Sequence, residues 1–158
     1  MPSATLAPVR LAELAASCHL ADWWRVYGAY TLLKMQLHRG PGLGASAEAA
    51  EGLSPQQQVY LQSSWDLPGH VEFDLIGRYV DRLRGFNPNN LPGTADVVNQ
   101  YLSLDVRLAW WPRERVEVAV VGQNLLDNHH PESGSNPLVR APLAEIQRGV
   151  YGKVTWQF

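Results

Sequence analysis

Polar and apolar residues alternate along most of the chain with a period of two. That period places successive side chains on opposite faces of an extended strand. It is plainest at the end, from Glu145 to Phe158. There Phe158, Trp156, Val154, Gly152 and Val150 form one set, and Gln157, Thr155, Lys153, Tyr151 and Gly149 the other. Four further stretches repeat the pattern: Trp23–Leu37, Gln56–Asp66, Val71–Arg84 and Gln100–Trp111. Val116–Asp127 is a sixth strand by the same rule. Val9–His19 fits two periods. Its Ala and Leu content favours a helix, while its place before a strand series favours a strand, so residues 1–22 stay open between strand and short helix.

Several of these stretches are longer than a half-buried strand of a soluble sheet, usually about 5–6 residues. They match the roughly 9–11 residues that cross a bilayer at a tilt. The connections alternate in length. Leu20-Ala21-Asp22, Asp66–His70 (with Pro68-Gly69) and Pro112-Arg113-Glu114 are short. His38–Ser54, Gly85–Asn99 and Asn128–Ala144 are long, and Ala45–Glu51 in the first of these suits a helical turn. Short and long connections in strict alternation predict an all-β, up-and-down antiparallel meander of about seven long strands. The short turns then lie at one end, as in outer-membrane barrels.

The tryptophans sharpen this picture. Trp23, Trp24, Trp65, Trp110, Trp111 and Trp156 all lie beside a short turn or the C-terminus. The predicted topology gathers them on one rim, the place where a membrane–water interface enriches indoles. A soluble core offers the other explanation, but it would spread its indoles along the strands. The second face carries Arg25, Glu72, Asp74, Arg78, Asp105, Arg107, Glu117 and Lys153. These suit either the solvent face of a sandwich or the wet interior of a barrel.

Composition removes other classes. The net charge of −2 and the lack of a basic run argue against nucleic acid. The mean hydropathy of −0.21 hides any membrane signal, as alternation does in a barrel. Cys18 is alone, so no internal disulfide forms. The N-terminus lacks a basic segment followed by an apolar one, so no export signal is read there. No nucleophile elbow, phosphate loop or CxxC occurs, and neither catalysis nor a cofactor is expected. His129 and His130 stand near Asp127 and Glu132, but adjacent residues of an extended segment point apart, so no metal site is expected. His38 and His70 fall on opposite rims and do not combine.

Val121-Gly122-Gln123-Asn124-Leu125-Leu126-Asp127 resembles the G-x-N-L-hydrophobic-D segment of TonB-dependent outer-membrane receptors, with Gly122, Asn124, Leu125 and Asp127 as its marked positions. His130-Pro131-Glu132 is similar to the continuation of that segment. Arg148–Phe158 resembles the closing strand of the family, and Tyr101–Leu108 the strand before the motif. The resemblance covers most of Trp23–Phe158 and, more weakly, Val9–His19. It implies transport of an iron–siderophore complex or a similar scarce nutrient across the outer membrane. It also implies that Phe158, with Trp156, Val154 and Val150, is offered to the barrel assembly machinery.

Family barrels have about 22 strands and a plugged lumen. This chain has no plug and no TonB-box segment, so residues 1–158 read as a partial receptor barrel, its C-terminal strands. The missing N-terminal barrel and plug would be partners, and the TonB complex would act through that plug. An open sheet is then expected, with its first and last strands apart. The competing readings are a small autonomous barrel or porin-like protein of about eight strands, and a soluble β-sandwich binding module.

Overall fold

A computed structural model describes residues 9–35, 54–84, 97–126, 129–133 and 144–158. Among them are eleven strands: β1 (Val9–Ala21), β2 (Trp24–Met35), β3 (Gln57–Leu67), β4 (Val71–Val80), β5 (Leu83–Arg84), β6 (Val97–Val98), β7 (Tyr101–Arg113), β8 (Val116–Gln123), β9 (His129–Ser133), β10 (Ala144–Gln147) and β11 (Gly149–Trp156). Seven of them form one sheet in the order β1-β2-β3-β4-β7-β8-β11, with every neighbouring pair antiparallel. The sheet does not close on itself. The all-β open meander read from the alternation is the architecture of the molecule.

The Ala- and Leu-rich first segment is a strand, β1, 13 residues long. Twelve cross-strand partners in β2, from Val9↔Met35 to Ala21↔Trp24, outweigh its helical preference. Residues 1–8, the Ala45–Glu51 turn, His38 and Asp127 lie outside the described residues.

Three short turns join the hairpins at one end. Asp22-Trp23 and Glu114-Arg115 each connect strands whose flanking residues are paired, Ala21↔Trp24 and Arg113↔Val116. The first strand of the third hairpin thus runs through Pro112 and Arg113, so the turn lies later than the Pro112-Arg113-Glu114 connection expected from the alternation. Between β3 and β4 the chain reverses through Gly69 (φ 82°) and His70 (φ 60°). Positive φ is cheap for glycine, which has no Cβ to clash.

Three strands are shorter than the alternation suggests. The Val71–Arg84 stretch ends as β4 at Val80, and Leu83–Arg84 is the separate strand β5. The sixth stretch does not run to Asp127: β8 stops at Gln123, and Asn124 turns into the left-handed region at φ 52°. The closing stretch is two strands rather than one. β10 pairs with β9 and β11 pairs with β8, with Arg148 between them. β5 and β6 likewise pair apart from the main sheet, beyond β4 and β7. Short segments beyond β4 and β7, and beyond β8 and β11, thus pair separately from the seven-stranded wall.

Candidate functional site

The registers divide the wall into two faces. Cross-strand partners point the same way. One row runs Trp24, Trp65, Phe73, Leu108; a second runs Leu61, Gly77, Leu104. A third runs Trp110, Val118, Val154. This face is apolar and open: Leu61, Leu108, Trp110, Val120, Val150, Val154 and Trp156 are all exposed, Val154 at 71%. Isolated exposed Leu and Val need no explanation, but a continuous face of them does.

The opposite face carries the polar set and is the better covered one. Ala109 and Ala119 are completely buried there, and Ser103 and Glu117 are nearly so. Its centre is Arg107 on β7. The guanidinium donates from Nη1 to Asp74 Oδ2 at 2.8 Å and to Glu72 Oε2 at 3.1 Å, both on β4. From Nη2 it donates to Glu117 Oε1 on β8 at 3.0 Å. Five donors in a planar fork let one Arg serve three carboxylates, which a compact ammonium does less well. The network continues across the sheet. Ser64 Oγ donates to Asp74 Oδ1 at 2.6 Å, Gln62 Nε2 donates to Ser64 Oγ at 3.3 Å, and Tyr60 Oη donates to Gln62 Oε1 at 2.9 Å. Arg25 pairs separately with Asp66 at 2.8 Å. Three carboxylates on one guanidinium leave this patch with a formal excess of two negative charges. Of the eight charged residues foreseen for this face, Arg25, Glu72, Asp74, Arg107 and Glu117 are drawn into ion pairs. Arg78 lies over the Tyr60 ring at 6.0 Å.

All six tryptophans lie at the end with the short turns. Trp23 stacks on Trp24, Trp24 on Trp65, and Trp65 tilts against Phe73, with centroids 6.1, 6.2 and 5.3 Å apart. Trp24 also donates its indole N–H to Ser63 Oγ at 2.8 Å. Trp156 meets Phe158 edge to face at 6.3 Å. Trp111 differs from the rest. It lines a groove on the polar side with Asp66, Gly69, His70 and Glu72, while its neighbour Trp110 is on the apolar side. Adjacent indoles of one strand necessarily diverge.

The G-x-N-L segment has a local structural basis. Asn124 N–H donates to Asp105 Oδ1 at 2.8 Å, and Leu125 N–H to Leu104 O at 2.9 Å. The Leu125 side chain folds back over Gly122, where a Cβ would come within 3.1 Å of it. Gly makes room, Asn accepts the left-handed backbone, and Leu covers the glycine. The motif is visible in the sequence, but its partner Asp105 lies 19 residues upstream on another strand and carries no such mark.

Val150, Val154, Trp156 and Phe158 all lie exposed at the free edge of the wall. Among the described residues no three His, Cys, Asp or Glu side chains converge as a metal cage. The backbones of His129 and His130 pair with Gln147 and Ile146 in the small β9–β10 sheet.

No protein-family model matches the chain, and no curated protein matches it in sequence. Solved structures do. The siderophore receptor PiuA from Acinetobacter baumannii superposes with a TM-score of 0.73 at 16% identity, covering 95% of this chain and 22% of that one. A mutant of the ferric enterobactin receptor from Pseudomonas aeruginosa gives 0.69 at 13% identity over 96% of this chain and 22% of that one. The ferric yersiniabactin uptake receptor from Yersinia pestis gives 0.61 at 18% identity, with 94% and 22% covered. At these identities the likeness is one of fold. The chain has the fold of part of a β-barrel receptor wall, and it spans about a fifth of the length of the receptors it matches.

Proposed function

We propose that the chain is a section of the barrel wall of a TonB-dependent outer-membrane receptor that takes up ferric siderophores or a similarly scarce nutrient. One observation carries the reading. The seven-stranded two-faced wall superposes over almost its whole length on siderophore receptors, with its open face apolar and its covered face ionic. In this reading the apolar face meets lipid, as the lipid-facing band of a barrel must. The Arg107 network faces the wet lumen, and the tryptophan rim lies at the periplasmic interface. Transport belongs to the whole receptor. A plug elsewhere in that receptor would couple it to the TonB complex, and the chain itself performs no catalysis. Phe158, Trp156, Val154 and Val150 would be presented to the barrel assembly machinery.

Strand direction favours this over a small autonomous barrel. Seven strands paired antiparallel throughout leave β1 and β11 running the same way. Direct closure would therefore create a parallel seam, unlike the all-antiparallel, even-numbered bacterial barrels. The rest of an antiparallel barrel must supply an odd number of strands.

The test is deletion of the whole gene that encodes the chain, followed by growth under iron limitation on single ferric siderophores. Loss of growth on one of them, restored by the gene, is the expected result. Unchanged use of every siderophore, with the protein recovered as a water-soluble monomer, would overturn the reading.

A further inference from the structure

An arginine stands on the apolar face, where the alternation alone would not put one. Trp110 lies on that face opposite Val118. Strict alternation from Trp110 would send Arg113 to the polar face. The register slips between Trp110 and Arg113, so that Arg113 pairs with Val116 instead. Val116 in turn pairs with Trp156. A β-bulge commonly re-aims a side chain in this way, and Pro112 inside it has no N–H to lose from the ladder. The result is a row of Arg113, Val116 and Trp156 at the end of the apolar face. Together with Glu114 and Arg115 of the adjoining turn they line a groove of about 510 Å³.

The groove keeps a formal excess of one positive charge. Two arginines face one glutamate, and no carboxylate among the described residues pairs with either arginine. Elsewhere on the wall Arg25 and Arg107 are paired with carboxylates, whereas Arg78 lies over the Tyr60 ring. Beside the groove the surface is strongly apolar: Trp156 and Val154 are about 70% exposed, and Trp110 is half exposed. Cationic forks next to an exposed apolar strip match a ligand that joins a phosphate to hydrocarbon. Arginine binds phosphate through two parallel N–H donors, and aromatic rings settle at the headgroup level.

We propose that this groove holds the headgroup of an anionic phospholipid, with Arg113 and Arg115 on its phosphate and its acyl chains along Trp156, Val154 and Trp110. The site rests on the membrane-wall reading above and would sit in the leaflet next to the short turns.

The experiment uses the intact receptor purified in a neutral detergent. Native mass spectrometry reads the fraction that retains added phosphatidylglycerol, diacylglycerol with the same chains, or glycerol phosphate. The expected result is retention of phosphatidylglycerol alone. Arg113→Ala and Arg115→Ala should each lower it about fivefold, the factor contributed by one basic side chain near an anionic lipid surface. Arg113→Lys should recover part of the loss. Equal retention by the double alanine variant, or equal binding of diacylglycerol, overturns the site. Binding of glycerol phosphate as tight as that of the lipid would make it a plain anion site and overturns it too. Insertion of the same samples into liposomes is measured in parallel. A receptor that inserts while both alanine variants keep the lipid refutes only the groove, whereas failure to insert refutes the wall reading and the groove with it.

Discussion

The two faces of the wall are built from the same strands and solve opposite problems. The apolar face needs no partner inside the molecule. Its Leu and Val side chains stand open, and its hydrogen bonds include Trp24 to Ser63 and Tyr30 to Gln57. The polar face pairs many of its groups within itself, although Trp111 Nε1 and Thr155 Oγ1 are buried there without a hydrogen-bond partner among the described residues. Its charges form a connected set on Arg107, Asp74, Glu72 and Glu117, extended through Ser64 and Gln62 to Tyr60. The difference teaches where the solvents lie. A soluble sandwich would expose the ionic face and bury the apolar one. Here the ionic face is the more covered and the apolar face the more open, and on the proposed reading the apolar face is left for a medium that makes no hydrogen bonds.

The largest expected effect comes from swapping the solvents at neighbouring positions. Val120 stands on the apolar face and Val121 on the polar face of β8. On the proposed reading, Val120→Arg should destabilise the bilayer-inserted protein by roughly 2–4 kcal/mol, the cost of a lipid-facing Arg near mid-membrane. Val121→Arg should cost clearly less. Equilibrium unfolding in liposomes compares them, and equal losses would remove the distinction between the faces.

Next comes the hub of the ionic face. Arg107→Ala leaves three carboxylates facing one another. Breaking a buried pair costs about 3–5 kcal/mol, and partial exposure of Arg107 (28%) lowers the expectation to the bottom of that range. Glu72→Ala removes one partner from a half-open position, and a loss below about 1 kcal/mol is expected. If both variants unfold at the same denaturant concentration, Arg107 is not a hub.

Smaller still is the exit from β8. Asn124→Ala should cost about 1–2 kcal/mol, because the short polar side chain of Asn tolerates the left-handed region and a methyl group does not. Asn124→Gly should cost less, because glycine meets no steric penalty in that region. A loss shared equally by the two would point to the side chain rather than to backbone conformation. The smallest effect is Trp24→Phe, which keeps the ring stack and deletes the donor to Ser63. A cost of about 0.5–1.5 kcal/mol, the net value of one hydrogen bond, is expected, and Ser63→Ala should match it.

Much of the wall was legible along the chain. Alternation identified both faces, with Val154 and Trp156 on one and Glu72, Asp74 and Arg107 on the other. Alternating connection lengths revealed the meander and the end where the indoles collect. The G-x-N-L segment marked the approach to the last hairpin. The candidate site was legible as a list of charged positions, not as a network. Asp74 and Arg107 are 33 residues apart in the chain, and only the β4–β7 register makes them partners.

What the sequence determined by itself is therefore what a period of two can carry: which residues share a face within one strand. Face identity is local, because successive Cβ atoms of a strand must alternate. The tertiary structure alone decided how strands slide against one another. It ended β8 at Gln123 by handing the Asn124 N–H to Asp105. It divided the closing stretch at Arg148 between two sheets. It slipped the register after Trp110 and so turned Arg113 toward the apolar side. Each of these depends on a hydrogen-bonding partner in another strand, and a one-residue shift in that pairing reverses every side chain beyond it.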